Sequence, residues 1–549
     1  MVAPKKRPRA LDGSSLSLEV LHHLLAAAAE EMGACLQRSA FSTNIKERRD
    51  FSCAVFDRAG RMLAQAAHIP VHLGSMPMCT QAVLSELDLG PGDCAILNDP
   101  FRGGTHLPDI TLVAPVCVGA SKKPRFFVAN RAHHADVGGP VPGSMAPAAD
   151  IHGEGLRIPP MLLVEGGRVR QDVLALLEAN MRVPAERRGD LMAQIAACHH
   201  GQRRMSALAL ELGVGRLESR ASDLLDWTAS LVEQFVLCLP ARQFDFEDTL
   251  ELPHCDSSKR GRVRPKFVKV RCSLRAKRGR LLVDWSRSDD QVGGGISTVR
   301  AVTQAAVFYV ARLFLESSVP TNDGVWQVIE VQTRPGSLMD ARYPAAVAGG
   351  NVETSQRLVD CLLGALAKAL PGRVPAASSG TMCNLSFGGT QSDGRAFAYY
   401  ETIAGGAGAS LAADGASALQ THMTNTRNTP LEALETSYPV RVLRYCVRRS
   451  SGGTGHTRGG DGIDKALLFL EPARVTWVAD RCRQGPWGLA GGSHGAPSRA
   501  LHLPGRSAQS AAIDLDSSAS LNVDSGGVIE ILTPGGGGYG IPRARRKRP

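Results

Sequence analysis

Two short polar clusters, His106-Leu107-Pro108-Asp109 and His133-His134-Ala135-Asp136, bracket two apolar runs, and no other feature restricts the chain as much. Ile110 to Val118 and Phe126 to Asn130 are β-branched and aromatic enough to form strands, and Gly119-Ala-Ser-Lys-Lys-Pro124 between them reads as a loop. Residue 121, midway between Asp109 and His133, falls inside that loop. An antiparallel hairpin folded there sets Asp109 and His133 side by side at its open end, with His106 close by. Neutral imidazoles and a carboxylate meeting at one point are what Zn²⁺, Mn²⁺ or Fe²⁺ requires. Histidines near strand ends are also commonly surface or hydrogen-bonded structural residues, so spacing alone leaves both readings open. Gly103-Gly104 before the first cluster and Gly138-Gly139 after the second allow sharp turns or a close backbone approach to a ligand.

A chain of 549 residues can bury a sizeable core, and length alone allows two to four domains or one large unit. Net charge of +11 invites a nucleic-acid reading, but much of the excess sits in Lys5-Lys6-Arg7-Pro8-Arg9 and in Arg543 to Arg548. Such end clusters read as solvated tails. The body carries no nucleic-acid-binding motif, so no nucleic-acid partner is expected. The 13 cysteines include no CxxC pair and are odd in number, which fits reduced thiols in a cytoplasm better than a disulfide framework. Asp12, Glu19 and His22-His23 interrupt any secretory signal. The longest apolar stretch, Ala301 to Leu315, is too short to span a membrane and contains Gln304 and Arg312.

Leu18 to Ser39 has helical periodicity, and Ser15 or Ser17 could cap it. Phe51 to Ala67 predicts strand, turn and strand, followed by the Pro-interrupted loop His68-Ile-Pro-Val-His72, which carries two more candidate histidines. Met76 to Leu87 predicts a helix and Cys94 to Leu97 a strand. Gly139 to Pro160 reads as a long functional loop with Asp150, His152, Glu154 and Arg157 exposed by composition. Residues 171 to 238 are helix-dominated, Phe246 to Val283 turns to strands, and Ala301 to Leu315 and Gln356 to Leu370 predict buried helices. The last third alternates short strands with glycine-rich loops. These loops recur too regularly to mark linkers. The expected fold is therefore mixed α/β (α+β), one large intertwined unit with the antiparallel hairpin at its site.

No GxxxxGK[ST] loop is present. Gly452-Gly453-Thr-Gly455 and Arg458-Gly459-Gly460-Asp461-Gly462 could bind anions through backbone amides or could simply be turns. Thr533-Pro-Gly-Gly-Gly-Gly-Tyr539-Gly540 is either a close-approach loop or a floppy terminus. Gly491-Gly492-Ser493-His494-Gly495 matches GxSxG but lacks the strand and helix of a nucleophile elbow, so a glycine loop is expected. Cys53 and Cys383 read as buried small hydrophobes. Thr421 to Asn428, which includes His422, Asn425 and Arg427, suits oriented hydrogen bonding to a polar substrate or a capped turn. Asn351 to Arg357 leads into an apolar helix, and plain capping accounts for it equally well.

In this order the clusters resemble the hydantoinase B family, which includes the B half of 5-oxoprolinase and the alpha subunits of acetone and acetophenone carboxylases. The resemblance rests on Glu47-Arg-Arg-Asp-Phe-Ser-Cys53, His68-Ile-Pro-Val-His-Leu-Gly-Ser75, Asn98-Asp-Pro100, Gly103-Gly-Thr-His-Leu-Pro-Asp109 and Asn130-Arg-Ala-His-His-Ala-Asp-Val-Gly-Gly139. Glu154-Gly-Leu-Arg-Ile-Pro-Pro160, Gly350-Asn-Val-Glu-Thr-Ser-Gln-Arg357, His422-Met-Thr-Asn-Thr-Arg-Asn-Thr-Pro430, Arg458-Gly-Gly-Asp-Gly462 and Pro486-Trp-Gly-Leu-Ala-Gly-Gly492 continue it. It divides the chain into a basic disordered tail (1–14), a hydantoinase B-like catalytic domain (15–543) and a second basic tail (544–549). It implies a subunit of an ATP-dependent enzyme whose partner, a hydantoinase A-like subunit, carries the ATP site and phosphorylates the substrate. It also implies a divalent metal (Zn, Mn or Fe) on His106, Asp109 and His133. The doubled histidine and compact length are more similar to the hydantoinase and oxoprolinase branch. Leu250 to Arg264 departs from the family pattern, and Ala404 and Ala407 stand where more glycine is expected, which leaves substrate shape open.

The expectation is a cytoplasmic hetero-oligomeric hydrolase opening a small cyclic amide of hydantoin or 5-oxoproline type. His134, Asp136 and Glu154 are the candidate catalytic groups that orient substrate or move protons. Arg157, Glu353, His422, Asn425 and Arg427 are the candidate substrate-binding residues. The rivals are an ATP-dependent ketone carboxylase subunit using the same site, and a non-catalytic scaffold for the ATP-binding partner.

Overall fold

The computed structural model describes residues 17–66, 68–252, 266–505 and 512–542. Both basic tails and most of the divergent segment Leu250 to Arg264 lie outside the described residues.

The first sheet is antiparallel throughout. It comprises β1 (Phe51–Asp57), β2 (Met62–Gln65), β3 (Cys94–Leu97), β4 (Asp109–Val116), β5 (Phe126–His133), β6 (Met161–Glu165) and β7 (Arg168–Val169), in the spatial order β2-β1-β5-β4-β3-β6-β7. Every residue of β1, β4 and β5 is buried, which explains why these strands read as continuous apolar runs rather than as an alternation. Helix α1 (Leu18–Ser39) covers one part of this sheet, its start capped by the Ser17 hydroxyl accepting from the Val20 amide. After α2 (Thr43–Lys46), α3 (Met76–Glu86) and α4 (Gln171–Asn180), the long helix α5 (Pro184–Leu212) packs against α1, β4 and β5. Helix α6 (Val214–Leu237) follows.

A second sheet pairs β8 (Gln243–Glu251), β9 (Phe267–Lys277), β10 (Arg280–Asp284) and β11 (Ile329–Gln332), with β10 and β11 parallel. It packs on the buried helix α8 (Ser355–Ala369), which lies beside α7 (Arg300–Leu313). Both helices stand where the apolar stretches predicted them. The entry to α8 does not. Gly350–Thr354 forms a turn of π-helix running straight into α8, all five residues are buried, and no side chain caps it. Capping therefore does not explain this polar string; such turns instead distort a helix locally, frequently at functional sites.

The last third builds two facing sheets around a smaller core that includes Phe387, Phe469, Trp477, Ile529 and Ile531. One holds β12 (Asn384–Thr390), β13 (Ala396–Thr402), β16 (Ala473–Val478) and β19 (Ser518–Val523). The other holds β14 (Val440–Arg448), β15 (Gly462–Phe469), β17 (Arg499–Leu503), β18 (Ile513–Leu515) and β20 (Val528–Leu532), with α9 (Leu431–Ser437) before β14. Buried arginines join this part to the rest. Arg48 donates to Tyr400 O, Thr402 Oγ1 and Thr426 Oγ1, and Arg357 in α8 reaches Asp248 of β8 and Asp480 beyond β16. Arg481 adds contacts to Asp248 and Asp360. The α+β fold is thus intertwined as expected.

The glycine-rich strings are neither floppy nor anion loops. Extended segments around residues 376–380, 405–409, 451–460, 485–496 and 534–540 hydrogen-bond to one another outside any regular sheet. Gly536 N–H donates to Gly460 O, Gly453 N–H to Gly536 O, Ala409 N–H to Gly537 O and Gly538 N–H to Ser493 O, all at 2.8–2.9 Å. A Cβ at Gly408, Gly452, Gly459 or Gly536 would fall 1.8–2.0 Å from a neighbouring carbonyl oxygen. Glycine is required here because backbone meets backbone. Ser493 lies within this bundle, its hydroxyl paired with Thr454, which removes the nucleophile-elbow reading.

Candidate metal centre

In the hairpin β4–β5, Asp109 and His133 are direct cross-strand partners, as the spacing predicts. His106 sits in the turn before β4, where Gly103 at φ +84° brings the chain so close to α3 that a Cβ there would lie 2.4 Å from Met78 C. His106 Nε2 and His133 Nδ1 each stand 3.3 Å from Asp109 Oδ1 and 3.2 Å from one another. All three residues are buried. A tetrahedral ion bonded at about 2.0–2.1 Å needs donors about 3.3–3.4 Å apart, so this triangle fits a first-row divalent cation.

The surroundings fix the donor atoms. Asp109 Oδ2 accepts from the Thr105 hydroxyl at 2.5 Å and lies 3.3 Å from His72 Nε2. His72 Nδ1 is 2.9 Å from Ser52 Oγ. The His133 ring stacks on Tyr400, and its backbone is tied on both sides, N–H to Asp50 O and carbonyl to Asn44 Nδ2. Burial works to raise the Asp109 carboxyl, but His106 and His72, with hydrogen bonds from His106 and His133, hold it well below the usual range. Burial pushes His133 down to about 3 and lowers His72 despite Asp109. An ionised carboxylate beside neutral imidazoles is the donor state a cation needs.

The triad opens into a cavity of about 20 Å³, also lined by Asp50, His72, Asn351 and Tyr400, with apolar walls from Ile69, Val71 and Met423. That is room for about one water-sized group. Asn351 Oδ1, carried by the π-turn, is buried without a hydrogen-bond partner among the described residues. Burial raises the Asp50 carboxyl to about 7 against the opposing pull of Arg48.

The remaining predicted residues lie outside this lining. His134 faces α5, its Nε2 2.9 Å from Gln194 Oε1. Asp136 accepts from the amides of Gly138, Gly143 and Arg182 and pairs with the Arg182 side chain, anchoring the loop that follows β5. Glu154, expected to be exposed, is fully buried because its Oε1 accepts from Ala348 N–H, and burial lifts its carboxyl to about 8. Arg157 lies over the Tyr343 ring and 3.7 Å from Asp99. Glu353 is buried behind Tyr400, holding Asn384, which in turn accepts from the Tyr400 hydroxyl. His422 sits between Tyr309 and Asp360. Asn425 and Arg427 line a separate, outer cavity.

Asp50, His72, Asn351 and Tyr400 line the cavity but were not among the expected site residues, although His72 is one of the two candidate histidines of the loop before α3. The first three stand in strings that carry the family resemblance; His72 and Asn351 are polar residues among apolar or glycine neighbours, whereas Asp50 follows Arg48-Arg49 and does not stand out in that way. Tyr400 opens a polar cluster, Tyr400-Glu401-Thr402 before Gly405-Gly406, but only the pairing of two distant sheets puts its ring on His133.

The sequence model described as "Hydantoinase B/oxoprolinase" matches residues 14–542. 5-Oxoprolinase 1 of Arabidopsis thaliana is 35% identical across 96% of this chain, which spans 42% of that protein's length. Among solved structures, the ATP-dependent caprolactamase from Pseudomonas jessenii superposes with a TM-score of 0.85 at 27% identity, over 96% of this chain and 92% of that one. An acetone carboxylase shares the fold, with a TM-score of 0.86 at 18% identity over 95% and 75% of the two chains.

Proposed function

Because the chain belongs to the hydantoinase B/oxoprolinase family, we propose that it opens a small cyclic amide in an ATP-dependent reaction shared with a hydantoinase A-like, ATP-binding partner. The observation that carries this reading is the buried triangle of His106, Asp109 and His133 at 3.2–3.3 Å, in a fold like that of a lactam-acting, ATP-dependent enzyme. The triad would hold a divalent cation, which when bound supplies Lewis acidity toward a carbonyl oxygen or a water. Thr105 and His72 fix the Asp109 carboxylate, and Tyr400 fixes the plane of His133. Asp50 presents a carboxyl group on the same cavity wall, within reach of a proton released there. The apolar side of the cavity, Ile69, Val71 and Met423, shields the triad from bulk water. His134, Asp136 and Glu154 act from behind, positioning the loop and helix that carry the site rather than touching substrate.

The test is metal content by elemental analysis of wild type, His106→Ala and His133→Ala, together with turnover of hydantoin, 5-oxoproline and caprolactam in the presence of ATP and the partner. One metal per chain, lost in both variants along with turnover, is the expected outcome. A metal-free wild type after reconstitution, or full activity in either variant, overturns the reading. The acetone carboxylase fold supports a second reading, carboxylation of a ketone at the same site. Label from bicarbonate entering product would favour that reaction over hydrolysis.

A further inference from the structure

A second cavity, of about 350 Å³, lies on the far side of the wall that bounds the metal centre. The wall is one residue thick. Along it Asp50, Ile69, Val71, Thr424 and Thr426 face the inner cavity, while Arg49, Phe51, His68, Asn425 and Arg427 face the outer one. The opposite side of the outer cavity is a single face of α1, built from Glu30, Gly33, Ala34 and Gln37 at helical spacing. Its volume falls in the range of small-ligand sites, roughly 300–1,000 Å³.

The polar groups of this cavity are oriented and unspent. His68 Nδ1 accepts from the Cys53 amide at 3.2 Å, so the proton is on Nε2. The imidazole fits only because residue 33 is glycine, where a Cβ would meet His68 Cε1 at 2.5 Å. Asn425 and Gln37 use their NH₂ groups on His68 O and Lys46 O and are left with their oxygens. Arg49 is held at φ +57°, a left-handed conformation that a non-glycine residue adopts at a cost and that recurs where a side chain must be aimed. Arg49, Arg427 and Glu30 have no ion-pair partner among the described residues. Among the described residues, two exposed guanidinium groups without an ion-pair partner are thus carried by the wall, and one such carboxylate by the helix across from it.

We propose that this outer cavity is a binding site for a small amino acid, with its carboxylate on Arg49 and Arg427 and its ammonium group toward Glu30 and the oxygens of Gln37 and Asn425. Guanidinium forks suit a carboxylate, and a carboxylate with two amide oxygens suits an ammonium group. An opened cyclic amide is an amino acid, so the site also matches the product of the reaction proposed for the inner cavity. That match rests on the ring-opening reading, whereas the charge layout does not.

Calorimetric titration of the full chain with L-glutamate, glutarate and inorganic phosphate tests the assignment without turnover. Glutamate binds saturably and more tightly than glutarate, which lacks the ammonium group. Arg427→Ala and Arg49→Ala each weaken it at least tenfold, and Glu30→Gln erases the preference over glutarate. His106→Ala, in the inner cavity, leaves glutamate affinity unchanged. Thermal unfolding of each variant separates lost binding from lost folding, and Arg427→Gln stands in if the alanine variant fails to fold. Absence of saturable glutamate binding, or binding indifferent to both arginines, overturns the proposal. So does equal affinity for glutarate or phosphate, which would make the cavity a plain anion pocket. Glutamate binding with no turnover of any cyclic amide would leave this site standing and remove the ring-opening reading.

Discussion

Tyr400 lies flat on His133, with ring centroids 4.3 Å apart and planes 16° from parallel. Its hydroxyl donates to Asn384 Oδ1 at 2.8 Å, and Asn384 donates at the same distance to Glu353 Oε1. The pairing joins β5 of the first sheet to β13 of the third, so the last third of the chain sets the orientation of a donor in the hairpin. Groups that orient ligands typically contribute 10–100-fold to metal affinity. Tyr400→Leu, which removes stack and hydroxyl, is expected to weaken binding within that range, and Tyr400→Phe, which keeps the stack, by less than tenfold. Chelator competition measures both. Wild-type affinity in Tyr400→Leu would mean that the β-hairpin alone orients His133.

The contrast between His133 and Tyr400 marks how far the sequence could be read. Strand pairing within one hairpin is a local relation, so the register of Asp109 against His133 followed from the position of a loop. Helices α7 and α8 followed from apolar runs long enough to need burial. Tyr400 and Asn351 reach the same cavity through contacts between segments hundreds of residues apart, which no spacing encodes. Glu154 was misplaced for a related reason: composition puts a carboxylate at the surface, whereas the Ala348 amide from a distant segment holds it in the interior. Glu353, in a string that capping could explain, is likewise held inside by Met382 N–H and the Asn384 amide. The glycine strings were visible, but their role depends on which other backbone lies against them.

Glu353 predicts a pH dependence of stability. Burial lifts its carboxyl from the usual 4.5 to about 8, with hydrogen bonds and Arg357 opposing. Between those values the folded chain keeps a proton that the unfolded chain has lost, so stability falls as pH rises through this window. Glu353→Gln mimics the protonated form and removes that part of the slope. Relative to wild type it is expected to be about neutral at pH 5 and stabilising, on the order of a few kcal/mol, at pH 8. Denaturant midpoints at pH 5, 6.5 and 8 measure this. Some slope persists, because Glu154 is raised in the same direction and also reaches about 8. An unchanged slope in Glu353→Gln would show that Glu353 is ionised in the folded protein.

Gly536 and Gly215 separate the two things glycine can do. A Cβ at Gly536 would lie 2.0 Å from Ala407 O and 2.3 Å from Ala407 C. Both of its peptide groups are committed, N–H to Gly460 O at 2.9 Å and carbonyl to Gly453 N–H at 2.8 Å, so the segment cannot withdraw without breaking contacts to two neighbours. Gly215, in the first turn of α6, has nothing within 4 Å of where a Cβ would stand. Gly536→Ala is therefore expected to destabilise by about 3 kcal/mol or more, since overpacking against rigid backbone lies at the severe end of single substitutions. Gly215→Ala should be neutral or up to about 1 kcal/mol stabilising, because alanine favours a helix over glycine. Urea unfolding of the two variants beside wild type checks the pair. Equal and small effects would mean that the segments around Gly536 can part to admit a methyl group, and that the glycines serve chain flexibility instead of backbone contact.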